Sequence, residues 1–136
     1  LWNEAQQAYQ QAVRRRPDRV AYQVNLAFAC YELGKMRQAE KYYRAAIAIN
    51  EESIPALFNL ATMLLEQGQE TEAMDFFQRV LHLTPDNVDA QINVASIHLE
   101  RGDRAQALDA FRAASRFDME PELRRLVEAQ MRGLGN

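Results

Sequence analysis

A 34-residue period runs through most of this 136-residue chain. The segments 20–53, 54–87 and 88–121 align without a gap, and similar residues recur in the same columns. The clearest columns are Leu26, Leu60 and Val94; Ala27, Ala61 and Ala95; Gly34, Gly68 and Gly102; Ala39, Ala73 and Ala107; and the aromatic Tyr43, Phe77 and Phe111. A period of this length indicates a stack of similar units, because one such unit is too small to bury its apolar face alone.

Each unit has the pattern of two helices. In the segment 54–87, apolar residues recur at helical spacing up to Gly68, where a residue that tolerates a left-handed backbone ends the first helix. A second apolar stripe follows and stops before Pro85, which cannot continue a helix. Residues suited to cap helix starts precede the helices: Ser53, with Pro55 in the first turn, Asp86 or Asn87, and Asp103, in a capping box with Gln106. The sequence therefore predicts an all-α protein.

The repeated pattern resembles the tetratricopeptide repeat (TPR), in which Leu-Gly or its variant Leu-Ala, then Gly, Ala, an aromatic residue, Ala and Pro follow at set offsets. The resemblance covers nearly the entire chain. It implies an all-α, right-handed superhelical α-solenoid of TPR helix–turn–helix repeats. A single TPR domain over 1–136 would then comprise the second helix of a truncated repeat (1–19), full repeats (20–53, 54–87 and 88–121) and a C-terminal capping helix (122–136) whose tail frays from Gly133.

The chain departs from the TPR pattern at two packing columns. The early Trp of the family corresponds to Gln23, Leu57 and Gln91, and its mid-helix Tyr corresponds to Cys30, Leu64 and His98. These departures affect packing detail and not the fold. We interpret Cys30 as a small core residue and His98 as a buried or half-buried structural histidine.

The first helix carries an apolar stripe without an evident partner helix. Trp2, Tyr9 and Val13 belong to this stripe, together with two alanines. The favoured interpretation is that the chain is a piece of a longer array, since it begins in the middle of a repeat and without Met. The alternative is self-association or partner binding through the stripe, because contiguous exposed apolar surface marks interaction sites.

The TPR resemblance implies a concave wall built by the first helix of each repeat. Its predicted binding residues are Val24, Asn25, Phe28, Tyr31 and Glu32, then Phe58, Asn59, Leu65 and Glu66, then Ile92, Asn93, Leu99 and Glu100. An amide both donates and accepts hydrogen bonds, so the asparagine column suits a peptide backbone. The apolar neighbours would form pockets for side chains, and the glutamate column would favour a partner with Lys or Arg near the groove.

Other interpretations of these columns stay open. The asparagines can equally bond to a neighbouring helix, and the glutamates more often mark solvated helix ends. The two-carboxylate clamp with which some TPR domains bind the acidic C-termini of large heat-shock chaperones is absent. Its five positions correspond to Val24, Phe28, Asn59, Asp89 and Asn93. Only Asn59 matches, and Asp89 would repel a carboxylate.

Charge and motifs narrow the function. A net charge of −3 provides no basic field for nucleic acid, and no apolar run is long enough for membrane insertion. The sequence has no Gly-rich phosphate loop, Cys-x-x-Cys or His-Glu-x-x-His, so we expect no enzyme activity, metal or cofactor. The predicted function is a scaffold or adaptor that binds a peptide or protein segment. The alternatives are the non-catalytic arm of a larger enzyme or secretion or export assembly, and an oligomerisation module that uses the first helix.

The sequence leaves the compartment open. Its single cysteine, Cys30, excludes an internal disulfide framework but does not decide the compartment. The cytoplasm is slightly favoured, and the apparent truncation at the N-terminus keeps the periplasm open. A periplasmic repeat protein can also lack disulfides, so the periplasm stays compatible with the sequence.

Overall fold

The computed structural model describes residues 1–135 and contains eight α-helices and no strand in that range. They are α1 (Trp2–Arg15), α2 (Val20–Glu32), α3 (Met36–Ile49), α4 (Ile54–Glu66), α5 (Glu70–Leu83), α6 (Val88–Glu100), α7 (Arg104–Ser115) and α8 (Pro121–Gly135). This architecture confirms the all-α prediction. None of the described helices is both long and apolar enough to cross a membrane. The chain divides into two compact units, unit 1 from Leu1 to Gln67 and unit 2 from Gly68 onward.

The three glycines of the repeat column end α2, α4 and α6 in a left-handed turn. Their φ angles are +73° at Gly34, +77° at Gly68 and +80° at Gly102. At the first turn the amide of Gly34 donates to the Tyr31 carbonyl at 2.9 Å, and the next amide, of Lys35, donates to the Cys30 carbonyl at 2.8 Å. These bonds satisfy carbonyls that the end of a helix leaves without partners, which confirms the predicted helix stops.

In unit 1, α2 packs against α1, α3 and α4, and α3 also packs against α4. Ala27 of α2 and Ala39 of α3 are fully buried. Because neither carries a side chain beyond Cβ, the two helices of this hairpin approach each other closely. Tyr43, Leu57 and Leu60 complete the interior of the unit, each at most 1% exposed.

In unit 2, α6 packs against α5 and α7, and α8 covers α7. Ala95 and Ala107 are fully buried and repeat the close α2–α3 approach in the α6–α7 hairpin. Val127 of α8 is buried, as is Phe111 of α7. The Arg124 guanidinium of α8 donates to the carbonyls of Ser115 at 3.2 Å and of Phe117 at 2.9 Å. It thereby satisfies carbonyls at and just beyond the C-terminal end of α7.

The predicted N-cap residues differ in whether their side chains form a cap hydrogen bond. Asn87 caps α6, since its side-chain oxygen accepts from the Ala90 amide at 3.0 Å. Ser53 occupies the N-cap position of α4, but it forms no cap hydrogen bond with its side chain. The capping box at Asp103 is wrong: its carboxylate does not cap α7 and lies instead 3.7 Å from Nδ1 of His98. Of these candidates, only Asn87 forms a cap hydrogen bond with its side chain.

The frayed tail predicted from Gly133 is also wrong within the described residues. The helix α8 continues to Gly135, and Nη2 of Arg104 donates to the Gly133 carbonyl at 3.0 Å. This contact ties the last turn to the start of α7. Asn136, the remaining residue of the predicted tail, lies outside the described residues.

Candidate functional site

Three aromatic side chains of unit 1 form a row across α1 and α2. The rings of Trp2 and Phe28 meet edge to face, with centroids 5.4 Å apart and an interplanar angle of 77°. Phe28 in turn stacks on Tyr31 with centroids 6.3 Å apart at 24°. Phe28 keeps 39% of its surface exposed, although it is held from both sides. We call Trp2, Phe28 and Tyr31 the aromatic row.

An open cavity of about 110 Å³ lies beside the aromatic row. Its lining comes from α2, α3 and α4 and consists of Phe28, Tyr31, Tyr43, Phe58, Asn59 and Thr62. The Thr62 hydroxyl donates to the Phe58 carbonyl of its own helix at 3.0 Å, so it offers little to a ligand. The Asn59 amide acts on the Tyr43 hydroxyl and opposes the rise that burial causes in the pKa of Tyr43. The cavity therefore has apolar walls with one amide among them.

A carboxylate is bonded to one of the tyrosines that line this cavity. The Tyr31 hydroxyl donates to Glu66 and lies 2.6 and 2.8 Å from its two carboxylate oxygens. This hydrogen bond raises the pKa of Tyr31 to about 12, helped by desolvation and by the charges of Glu66 and Glu32. Burial raises the pKa of Tyr43 as well, and the charge of Glu32 adds to that shift. Two exposed glutamates thus place negative charge next to the aromatic row.

The three asparagines of the repeat column have three different environments. Asn25 is exposed and makes no side-chain hydrogen bond within residues 1–135. Asn59 lines the cavity together with Tyr43 of α3. Asn93 donates from Nδ2 to the Asp89 carbonyl of its own helix at 2.9 Å. Equal spacing in the sequence therefore does not give three equivalent amides.

Unit 2 carries its own apolar cleft of about 240 Å³, between α6, α7 and α8. Its lining includes the predicted residues Ile92 and Leu99 together with Leu126 of α8. Leu126 is 63% exposed, so α8 covers only part of this surface. The sequence analysis did not place Leu126 in a binding surface, although the apolar stripe of α8 was the signal that could have indicated it.

Several predicted site residues lie apart from these cavities. Val24 and Leu65 are half-buried and line neither one. Glu100 is exposed, and a hydrogen bond to Glu70 together with the charge of that group raises the pKa of Glu100. Glu70 also lies 3.6 Å from Nε of Arg101. The glutamate column, like the asparagine column, is not uniform.

The stripe on α1 is partly covered. Trp2, Tyr9 and Val13 are half-buried, and α1 packs along α2. No residue of α1 is fully buried, however. The structure joins Trp2 to the aromatic row, a contact that the sequence analysis missed because the two helices are linked only by tertiary packing.

Cys30 and His98 occupy packing positions. Cys30 is fully buried, and this burial raises the pKa of its thiol. Gln6 and Gln38 lie over it, with the Gln6 amide 3.6 Å from Sγ and the thiol 3.8 Å from Oε1 of Gln38. His98 is half-buried. Within residues 1–135, no three His, Cys, Asp or Glu side chains group closely enough to hold a metal ion.

Fold and surface together define a protein of stacked helical hairpins with an open aromatic surface. Two family models described as Tetratricopeptide repeat match the sequence, one over residues 18–86 and the other over residues 64–129. The chain belongs to the tetratricopeptide-repeat family. Repeats of this family are typically protein-interaction modules without catalytic groups.

Solved structures of TPR proteins share this fold. The type III secretion chaperone SycD of Yersinia enterocolitica, in complex with a peptide of the translocator YopD, is 20% identical over 83% of this chain and 89% of its own, with a TM-score of 0.74. YrrB, a TPR protein with an unusual peptide-binding site, is 16% identical over 93% of this chain and 64% of its own, with a TM-score of 0.80.

A tetratricopeptide repeat protein from Parabacteroides merdae reaches a TM-score of 0.86 at 20% identity. The match covers 98% of this chain and 53% of that protein, so this chain spans about half of its length. Identities this low show the shared fold alone. No curated protein matches this chain.

Proposed function

We propose that this protein is a scaffold that binds a peptide or a protein segment and has no catalytic activity of its own. The observation that carries the proposal is the partly exposed aromatic row beside an open apolar cavity in unit 1. Contiguous exposed apolar surface, unlike a single exposed ring, marks a site of interaction. Two proteins of similar fold are described as a complex with a peptide and as having a peptide-binding site, which supports the same use here.

Different residues of unit 1 would make the apolar and the hydrogen-bonding contacts with a partner. Phe28, Tyr31 and Phe58 provide the apolar walls that desolvate a partner side chain, and such aromatic anchors carry most of the affinity in protein interfaces. The exposed Asn25 amide can both donate to and accept from a peptide backbone. Asn59 can do the same inside the cavity, where it lies with Tyr43. In unit 2, Ile92, Leu99 and Leu126 offer a separate apolar cleft for contacts of the same kind.

The proposed binding mode does not use the chaperone-type carboxylate clamp. One clamp position is Phe28, whose ring packs between Trp2 and Tyr31. Another is Asp89, which adds negative charge where a carboxylate ligand would need a cation. The partner that fits this surface therefore does not present a terminal carboxylate to it.

The test of this proposal is a cross-linked pull-down from the source organism with three versions of the protein: native, Phe28→Ala and Tyr22→Ala. Tyr22 is a matched control, since it also lies on α2 and is 37% exposed against 39% for Phe28. We expect native protein and Tyr22→Ala to capture the same partner. Phe28→Ala should lose most of it, because truncation of a large aromatic anchor typically lowers binding affinity roughly tenfold or more. Equal capture by Phe28→Ala, with helicity retained, would refute the proposal.

A second candidate function is self-association through α1. It is favoured by one observation, that no residue of this amphipathic helix is fully buried. Trp2, Tyr9 and Val13 would form the contact. Light scattering over a range of concentrations tests this function. Association that weakens in Tyr9→Ser would support it, and a strict monomer at high concentration would contradict it.

A further inference from the structure

Two carboxylates act on the tyrosines that line the unit 1 cavity. Glu66 is held against the cavity-lining Tyr31 through the 2.6 Å hydrogen bond, and the charge of Glu32 acts on both Tyr31 and Tyr43. Both glutamates are exposed, so their charges face a partner as well as the protein. Lys35 adds a positive charge to the same unit, and its ammonium donates to Oε1 of Gln6 at 2.6 Å.

The cavity selects the apolar part of a partner by size. Its volume of about 110 Å³ is smaller than the ~150 Å³ of an apolar cavity that admits benzene. An aliphatic side chain such as Val, Ile, Leu or Met therefore suits this space better than an indole or a phenol. Tyr43, which is fully buried, closes the cavity floor.

Two kinds of group beside this cavity attract a cation. The face of an exposed aromatic ring attracts Lys or Arg, and the adjacent carboxylates of Glu66 and Glu32 add to this attraction. Phe28 and Tyr31 are stacked with centroids 6.3 Å apart. Side chains at positions i and i+2 of an extended peptide project to the same side and lie ~6.6 Å apart. Since Tyr31 both lines the cavity and bonds to Glu66, one extended peptide can fill the cavity and reach this carboxylate with residues about two positions apart.

We propose that unit 1 recognises a basic–aliphatic peptide segment, in which an aliphatic side chain enters the cavity beside Phe28 and Phe58 and an Arg or Lys within about two positions lies beside the aromatic row, within reach of the Glu66 and Glu32 carboxylates. This inference rests on the proposed function and specifies the chemistry of the partner. Acidic segments are disfavoured at the same surface by repulsion from the glutamates.

The test begins with selection of a phage-displayed library of random peptides on the whole chain. We expect enriched peptides to carry Arg or Lys close to Val, Ile, Leu or Met. The best peptide, labelled with a fluorophore, is then titrated by fluorescence polarisation against native protein, the double variant Glu32→Gln/Glu66→Gln, and Glu100→Gln. The side-chain amide introduced by Glu66→Gln can still accept from the Tyr31 hydroxyl, and Glu100 is the matched control from the same column in unit 2.

We expect the double variant to bind roughly fivefold more weakly, the effect of a lost exposed ion pair, and Glu100→Gln to bind as native. Replacing the basic residue of the peptide with Gln should produce a loss of similar size, and that loss should no longer appear in the double variant. Higher salt should weaken the native complex, because screening reduces attraction between exposed charges.

The outcomes separate this inference from the proposed function. Enriched peptides without basic residues, or equal binding by the double variant, would overturn the inference. If those peptides still require Phe28, the proposed function stands. If enriched peptides bind Phe28→Ala as well as native protein, the proposed function of unit 1 fails and the inference fails with it.

Discussion

Gly68 illustrates how one residue determines where a helix ends. Its φ of +77° lies in the left-handed region, and a Cβ placed there would meet no atom within 4 Å. We therefore expect Gly68→Ala to lower the free energy of unfolding by about 1 kcal/mol through backbone strain alone. Urea unfolding followed by circular dichroism measures this change.

Gly133 provides the matched control for that substitution. It lies inside α8, has ordinary helical backbone, and a Cβ there would also meet no atom within 4 Å. Gly133→Ala should stabilise the protein by up to ~1 kcal/mol, because alanine is the better helix former. If both substitutions changed stability in the same direction, the left-handed turn would not be the cause.

The Tyr31–Glu66 contact predicts a change in titration. The hydrogen bond and the carboxylate charge favour the neutral phenol, so the pKa of Tyr31 is raised to about 12. Glu66→Gln should move the pKa of Tyr31 back towards its ordinary value of about 10. Tyrosinate absorbance, recorded for both proteins against pH, measures the shift. An unchanged titration curve would contradict the contact.

The same contact has a consequence for stability with a defined sign. Because the folded-state pKa of Tyr31 lies above the ordinary value, its stabilising contribution is fully present below about pH 10. It is lost as the pH rises from there through about 12. Tyr31→Phe should remove this pH dependence, since phenylalanine has no proton to lose.

At the scale of elements, α8 offers two adjacent residues with opposite environments. Val127 is 2% exposed and Leu126 is 63% exposed. Val127→Ala should destabilise the protein by roughly 2 kcal/mol, the loss of two buried methylene equivalents with part of the space left empty. Leu126→Ala should stay within about 0.5 kcal/mol. Chemical unfolding of both variants checks that α8 packs in the observed register.

Helix positions followed from the sequence more readily than helix ends. Apolar spacing, glycine and proline are local signals, and they placed α4 and α5 correctly. Caps depend on where a side chain turns. Asn87 turns to the Ala90 amide, whereas Asp103 lies beside His98. The local sequence does not indicate which way such a side chain turns. His98, for example, is brought near Asp103 by the turn between α6 and α7.

At the scale of the whole molecule, the charge balance predicts that the protein does not bind nucleic acid. Non-specific binding to DNA or RNA is driven by counterions that are released when basic side chains neutralise phosphates. A protein with a net charge of −3 has no excess of basic side chains to do so. We expect no change in the polarisation of a labelled DNA duplex or single-stranded RNA at physiological salt. Binding with a Kd below about 10 µM would contradict this expectation.

The division of the chain into full repeats at 20–53, 54–87 and 88–121 within a single domain stays a prediction. Contacts group the chain into two compact units that meet in sequence at Gln67 and Gly68, within the second predicted repeat. Proteolysis that cuts only near Gly68 would favour two units over a single domain. Resistance at this turn would favour the single domain.

The sequence by itself determined the helical class, the repeat and its turns. Period, apolar spacing and left-handed glycines are properties of neighbouring residues, and they do not depend on what packs against them. It also placed Phe28, Tyr31 and Phe58 among the binding candidates.

Only the tertiary structure decided how those candidates combine. It brought Trp2 onto Phe28, joined Tyr31 to Glu66, and gave the three residues of the asparagine column different environments. Residues 35 or fewer positions apart came together because helices packed side by side, and the rotation of each helix determined which side chains met. A repeat makes positions equivalent along the chain, but each position still takes its chemistry from the particular neighbours that packing supplies.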